Sequence, residues 1–335
     1  MTAPARAAEI TVPAVRDLLT RCGLAVPDAV VQLTTATGGA SRHTIVIDVE
    51  SPGLAAQRVV LRAGADAASN TYPLLVEGQL LQAALAAGVP VPRLLAAGDD
   101  TGGLGMPFLL LEYVAGETLP KRLRTWPEFT RARQLLARQL GTALGRLHLV
   151  SLELVPAEVA AVGDPVAACR DELDLTGQPH PAFEIGLRWL EAHRPPARSA
   201  VLTHGDYRLG NLIIGPDGLR AVLDWELSAV ADPRLDLGWL CSPSWRFGGQ
   251  APVGGIGEYD DLLQAYAEVT GVVVTVAELR WFEVLAVVRW GVLCIRQTTR
   301  HLTGSTRSIE LAALGRRVCE MEWALMEMLS GARQP

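Results

Sequence analysis

The hydrophobic period changes once along this chain, close to Gly116, and that single switch restricts the folds open to it. Before it lie three short β-branched runs, "VVQLTTA" (residues 30–36), "HTIVIDVE" (residues 43–50) and "QRVVLRA" (residues 57–63), separated by Gly, Ser or Pro turns. That pattern predicts strands. "YPLLVEGQLLQAALAAG" (residues 72–88) follows, with Leu74, Leu75, Leu81 and Leu85 at helical spacing and Gly88 as a stop. "VPRLLAAGDD" and "PFLLLEYV" add two more strands. Beyond Gly116 the pattern is helical: residues 128–150 repeat at the helical period, two shorter helices follow, and residues 259–329 are almost entirely helical. The exception is residues 202–226, which read as short strands and turns. A strand-rich part followed by a helical part, as two domains or as two lobes of one domain, is expected, cut into residues 1–114 and 115–335.

Composition excludes several function classes. The chain has 335 residues, 20% of them charged, and a net charge of −6, which offers no field for capturing nucleic acid or an anionic membrane. Its 30 basic residues include a single lysine, Lys121. The five cysteines (Cys22, Cys169, Cys241, Cys294, Cys319) form no C-x-x-C pair, as expected of small buried hydrophobes in a reducing cytoplasm. No stretch reads as a signal peptide or a bilayer span: the most apolar run, "FEVLAVVRWGVLCI", is short and interrupted by Arg289. A cytoplasmic protein is the expectation, with the oligomeric state open.

The chemistry concentrates in "LTHGDYRLGNLIIGPDGLRAVLDWE". His204, Asp206, Asn211 and Asp224 stand there among apolar and turn residues, and Asn211 is one of only two asparagines in the chain. "NLII" and "RAVLDW" read as a hairpin around Pro216-Asp217-Gly218, which would bring Asn211 and Asp224 side by side at its open end. An amide oxygen and a carboxylate are hard ligands suited to Mg²⁺, which takes its remaining ligands from waters and phosphates. Asp206, on the loop before the hairpin, is placed to accept a proton from a hydroxyl. These are the parts that phosphoryl transfer needs. The alternative, ordinary loop polars, accounts for "PDG" but not for the whole set.

"HGDYRLGN" followed by "LDWE" resembles the catalytic loop and metal-binding segment of the aminoglycoside phosphotransferase and choline kinase-like family, kin of the protein kinases. The tail "RWGVLCIRQTTRHLTGSTRSIELAALGRRVCEMEW" is similar to the branch of that family also found fused to acyl-CoA dehydrogenase-like domains. The resemblance implies a bilobal α+β protein-kinase-like fold, with a five-stranded antiparallel sheet and one helix in the nucleotide-binding N-lobe and a mainly helical C-lobe. It implies ATP, with GTP as the alternative, and Mg²⁺. Asp206 would be the catalytic base, Arg208 a contact of the transferring phosphoryl group, and Asn211 and Asp224 the metal ligands. His204 would pack and hydrogen-bond. Asp236, in "DPRLDLGWL", would brace the catalytic loop, with a helix N-cap as its other reading.

The N-lobe departs from the family pattern. The loop "ATGGASRHT" is not G-x-G-x-x-G; amides around Gly39 to Ser41 could reach phosphates, but two adjacent glycines also make a hairpin turn. The third strand carries Arg62 where the family has lysine. Arg62 would pair with Glu77 and bind phosphate oxygens through its fork, or it is a surface arginine. In the hinge-like "FLLLEYVAGETL", the Glu112 carbonyl and the Val114 amide would bond the adenine edge.

The acceptor would enter from the loop "SPSWRFGGQAPVGGIGEY" and the helix "ELRWFEVLAVVRWGVLCIRQTTR". The helix's mix of Glu278, Glu283, Arg280, Arg289, Arg296, Arg300, Trp281 and Trp290 suits a neutral or acidic acceptor better than a polycationic aminoglycoside, although the tryptophans also fit a core. Two rival readings stay open: a catalytically inactive kinase fold that binds nucleotide or acts as a scaffold, and a metal-dependent hydrolase built on His204 and the two aspartates, Asp206 and Asp224.

Overall fold

In the computed structural model, residues 10–35, 42–53, 55–64, 72–99 and 103–331 are described. They form two compact units. The first contains the chain up to Ala115 together with Glu153–Val159 and Ala221–Glu226; the second contains the rest. The single cut expected after residue 114 therefore leaves out two short returns of the chain to the first unit.

Within the first unit, α1 (Val12–Arg21) precedes β1 (Val30–Thr35), β2 (His43–Glu50) and β3 (Gln57–Ala63). Then come α2 (Leu74–Ala86), β4 (Leu94–Gly98) and β5 (Phe108–Glu112). The five strands form one antiparallel sheet in the order β1-β2-β3-β5-β4. Helix α1 has no counterpart among the expected elements. It begins at Thr11, whose side chain caps the Ala14 amide, and buries Val15, Leu18 and Leu19 with Ile45, Ile47, Leu61 and Leu110. Helix α2 packs on β4 and β5. Gly78 makes that approach close, because a Cβ there would lie 2.9 Å from a Leu109 methyl. Strand β5 thus meets side chains on both faces, which is why its "FLLL" run is apolar without alternation.

The second unit opens with α3 (Pro120–Thr125), α4 (Thr130–His148), α5 (Pro165–Asp174) and α6 (Pro181–Ala192). Strand β6 (Val201–Thr203) pairs antiparallel with β9 (Ala229–Ala231). Between them lies the hairpin of β7 (Leu212–Gly215) and β8 (Gly218–Val222), whose last two residues count with the first unit. Then follow α7 (Arg234–Cys241), α8 (Tyr259–Thr270), α9 (Val276–Leu302), α10 (Ile309–Leu314) and α11 (Arg317–Leu329). The main core gathers Phe183 and Leu187 of α6, Leu285 and Val288 of α9 and Leu325 of α11. Helix α9 starts on a capping box, Thr275 and Glu278 satisfying each other's backbone amides. Among the described residues no helix is long and apolar enough to cross a membrane.

Candidate active site

The loop between β6 and β7 is pinned by its backbone before its side chains come into play. Gly205 sits at φ +80°, and a Cβ on it would lie 2.0 Å from the Leu227 carbonyl oxygen. Only glycine fits there. Asp236, on α7, is buried and accepts from the His204 amide at 2.7 Å and the Gly205 amide at 2.8 Å. The helix N-cap position belongs to Pro233, so Asp236 serves the loop amides and not a helix end. His148, at the end of α4, stands 3.2 Å from Asp236 through Nε2 and 3.0 Å from the Tyr266 hydroxyl through Nδ1. Burial works to raise the Asp236 carboxyl, but the His148 hydrogen bond and charge, His204, and the His204 amide together hold it below the ordinary range. His204 is fully buried and accepts the Asp206 amide on Nδ1 at 3.2 Å.

Fixed this way, Asp206 receives donors from three sides. Asn211 Nδ2 donates to its Oδ2 at 2.6 Å and to its carbonyl at 2.9 Å. Arg208 Nε donates to both carboxylate oxygens, at 3.0 and 3.1 Å. Trp239 Nε1 donates to Oδ1 at 2.7 Å. The side chain keeps 13% exposure, so it is held without being sealed off. Because the Asn211 nitrogen is committed to Asp206, its oxygen is the atom free to ligate. The guanidinium of Arg208 lies 4.8 Å from the Trp245 ring centre.

A second constellation lies in the first unit. Glu77 of α2 is fully buried and takes Arg62 at 2.5 Å on one oxygen and Arg42 at 2.8 Å on the other. Arg62, on β3, also stands 3.8 Å from the Asp224 carboxylate. Burial pushes the Glu77 carboxyl up; the two guanidiniums oppose that, and the Asp224 and Glu226 charges reinforce it. Asp224 itself adopts φ +65°, a left-handed conformation uncommon outside glycine, on the segment whose Trp225 carbonyl accepts from the Tyr72 hydroxyl.

The remaining expected residues separate. Gly39 and Ser41 lie outside the described residues. Glu112 ends β5, with its side chain on Arg93, and Val114 follows in the irregular segment beyond. On the acceptor side, Trp281 is core, buried and bonded to the Leu190 carbonyl, whereas Trp290 joins Trp239 and Trp245 in one aromatic cluster. Sequence reasoning missed Arg42, His148 and Trp239. Trp239 carried a usable signal, standing one helical turn after Asp236 on the same short helix. The partners of His148 are 88 and 118 residues away in the chain, so it carried none.

Comparison with solved structures agrees with this architecture. A Ralstonia eutropha protein provisionally assigned as an aminoglycoside phosphotransferase superposes with a TM-score of 0.72 at 22% identity, over 97% of this chain and all of that one. The GDP complex of aminoglycoside 2'-phosphotransferase-IIIa gives 0.61 at 15% identity, over 95% and 98% of the two chains. At such identities the likeness speaks for the fold, which is the bilobal, protein-kinase-like α+β fold. The sequence then fixes the family: the model of the phosphotransferase enzyme family APH matches residues 32–273, and the chain belongs to it. Among curated relatives, acyl-CoA dehydrogenase family member 10 of Mus musculus is 34% identical over 49% of this chain and 16% of its own length. Member 11 of Gallus gallus is 26% identical over 78% of this chain and 36% of its own. The chain thus spans about a third, or less, of those relatives.

Proposed function

We propose that this phosphotransferase moves the γ-phosphoryl group of ATP, with Mg²⁺, to a hydroxyl of a small molecule. The observation that carries the proposal is the treatment of Asp206: a carboxylate oriented by three donors, on a loop whose amides are separately clamped, and still partly exposed. Such a carboxylate can accept the hydroxyl proton as that oxygen attacks phosphorus. Arg208, already on Asp206 through Nε, keeps two further nitrogens with which to meet negative charge on the transferring group. Arg62 takes the place of the family lysine, and its fork serves Glu77 and nucleotide phosphates together.

The donor set fits a hard divalent cation. Asn211, through its amide oxygen, and Asp224, through its carboxylate, are each hard ligands of the kind Mg²⁺ takes alongside water and phosphate. When bound, Mg²⁺ would neutralise phosphate charge and orient the transferred group.

A neutral or acidic acceptor fits better than a polycation. Glu278 is engaged by its helix cap and by Arg198, and Glu283 is buried against the Tyr259 hydroxyl, so neither is free to bind an amine. Arg289 instead lies 5.0 Å from the Trp239 ring centre, beside a partner of Asp206. The test is ADP release across a panel of neutral, acidic and aminoglycoside alcohols. Acid or neutral alcohols are expected to stimulate it; stimulation by aminoglycosides alone would reject the acceptor class.

A further inference from the structure

Helix α7 holds Asp206 twice. Asp236 fixes the backbone of the loop, and Trp239, three residues on, reaches the carboxylate itself through its indole N–H at 2.7 Å. Trp239 is buried and cannot easily turn away: its ring packs against Trp245 at 5.2 Å and Trp290 at 6.4 Å between centres, with Arg289 above its face. The second donor to Oδ1, Arg208, is stacked on Trp245 of the same cluster. One aromatic platform therefore sets two of the three donors that orient the carboxylate.

We propose that Trp239 is a positioning residue for phosphoryl transfer: its indole N–H occupies one lone pair of Asp206 Oδ1 and fixes the rotation of the carboxylate. The bonds from Trp239, Arg208 and Asn211 together hold the carboxylate in one orientation, the one it presents to the acceptor hydroxyl. The indole does not touch substrate and moves no proton. A hydrogen bond to an ionised group in a buried setting is among the stronger ones, and misorientation of a catalytic group is costly. The proposal rests on the reading of Asp206 as the group that accepts the hydroxyl proton.

Two readouts separate this role from packing. In protein labelled with ¹⁵N-tryptophan, the Trp239 indole resonance, assigned through Trp239→Phe, should lie downfield and move upfield in Asp206→Ala. An unchanged resonance overturns the hydrogen bond. For catalysis, benzothienylalanine placed at position 239 keeps the ring shape and replaces N–H by sulfur. Turnover is followed as nucleotide hydrolysis with water as acceptor, so that no acceptor need be known. The substituted protein should lose about 10- to 100-fold in kcat, with an unchanged KM for nucleotide. A kcat within about twofold of wild type, beside an inactive Asp206→Asn, overturns the role of Trp239 and leaves the reading of Asp206 standing. If Asp206→Asn itself turns over like wild type, that reading falls and this inference falls with it.

Discussion

Glu77 shows at the scale of one residue how far the chain has moved from a lysine–glutamate pair. An arginine in the lysine position brings a planar fork, and the carboxylate answers with two arginines, one on each oxygen. Neutralising such a buried centre strands its partners, which costs more than an ordinary polar change. Glu77→Gln should therefore lower stability by about 3–5 kcal/mol, read as a fall in the urea midpoint, whereas an unaltered midpoint would mean that Arg42 and Arg62 find other anions. Arg62 and Glu77 were legible through the family resemblance, which puts a cation on that strand and its carboxylate partner on the following helix. Arg42 was not: it follows a Gly-Ser loop, where an arginine ordinarily faces water. Its partner is 35 residues away in the chain.

At the scale of elements, two short signals fix the second unit. The turn at Gly205 lets the loop pass against the Leu227 carbonyl in a left-handed conformation. Gly205→Ala should cost about 2–4 kcal/mol, the sum of the strained backbone and the clash, measurable by calorimetric melting; a neutral effect would contradict the fit described. Glu278 closes the capping box of α9. The Thr275 amide is the largest influence on it, burial opposes, Arg198 assists, and the carboxyl is brought down to about 2. A lowered folded-state value means that the stabilisation is complete above the ordinary glutamate range of about 4.3 and is lost as pH falls from there towards 2. Glu278→Ala should cost about 1–2 kcal/mol near neutrality and flatten the fall of stability across that acid window. An equally steep fall in the variant would remove Glu278 as its source. Strand and helix bounds were largely legible, since β2 and β3 match their β-branched runs residue for residue. Helix α1 was not, although Thr11, Pro13 and the Leu18–Leu19 pair mark a capped amphipathic start.

At the scale of the whole molecule, chain order is a poor guide to which unit a residue serves. Asp224 is 18 residues past Asp206, yet it counts with the first unit, where Val222 donates to the Pro90 carbonyl and Trp225 accepts from Tyr72. The period switch near Gly116 marks where the strand-rich part ends, but periodicity carries no record of a six-residue return. The motif spacing still named the chemistry, because H-x-D, N and D sit at offsets set by one loop and one hairpin. What spacing could not supply was the bracing from His148 and Trp239, which comes from helices far along the chain. The central claim is that Asp206 drives transfer of a phosphoryl group to a hydroxyl, and phosphorus NMR of the products tests it most directly. With Mg²⁺, ATP and the acceptor that most stimulates ADP release, wild type should form a phosphate monoester. Asp206→Asn should slow its formation by about 10²- to 10⁴-fold while still binding nucleotide. Phosphorus appearing only as inorganic phosphate with every acceptor, or an ester formed equally fast by the variant, would contradict the account.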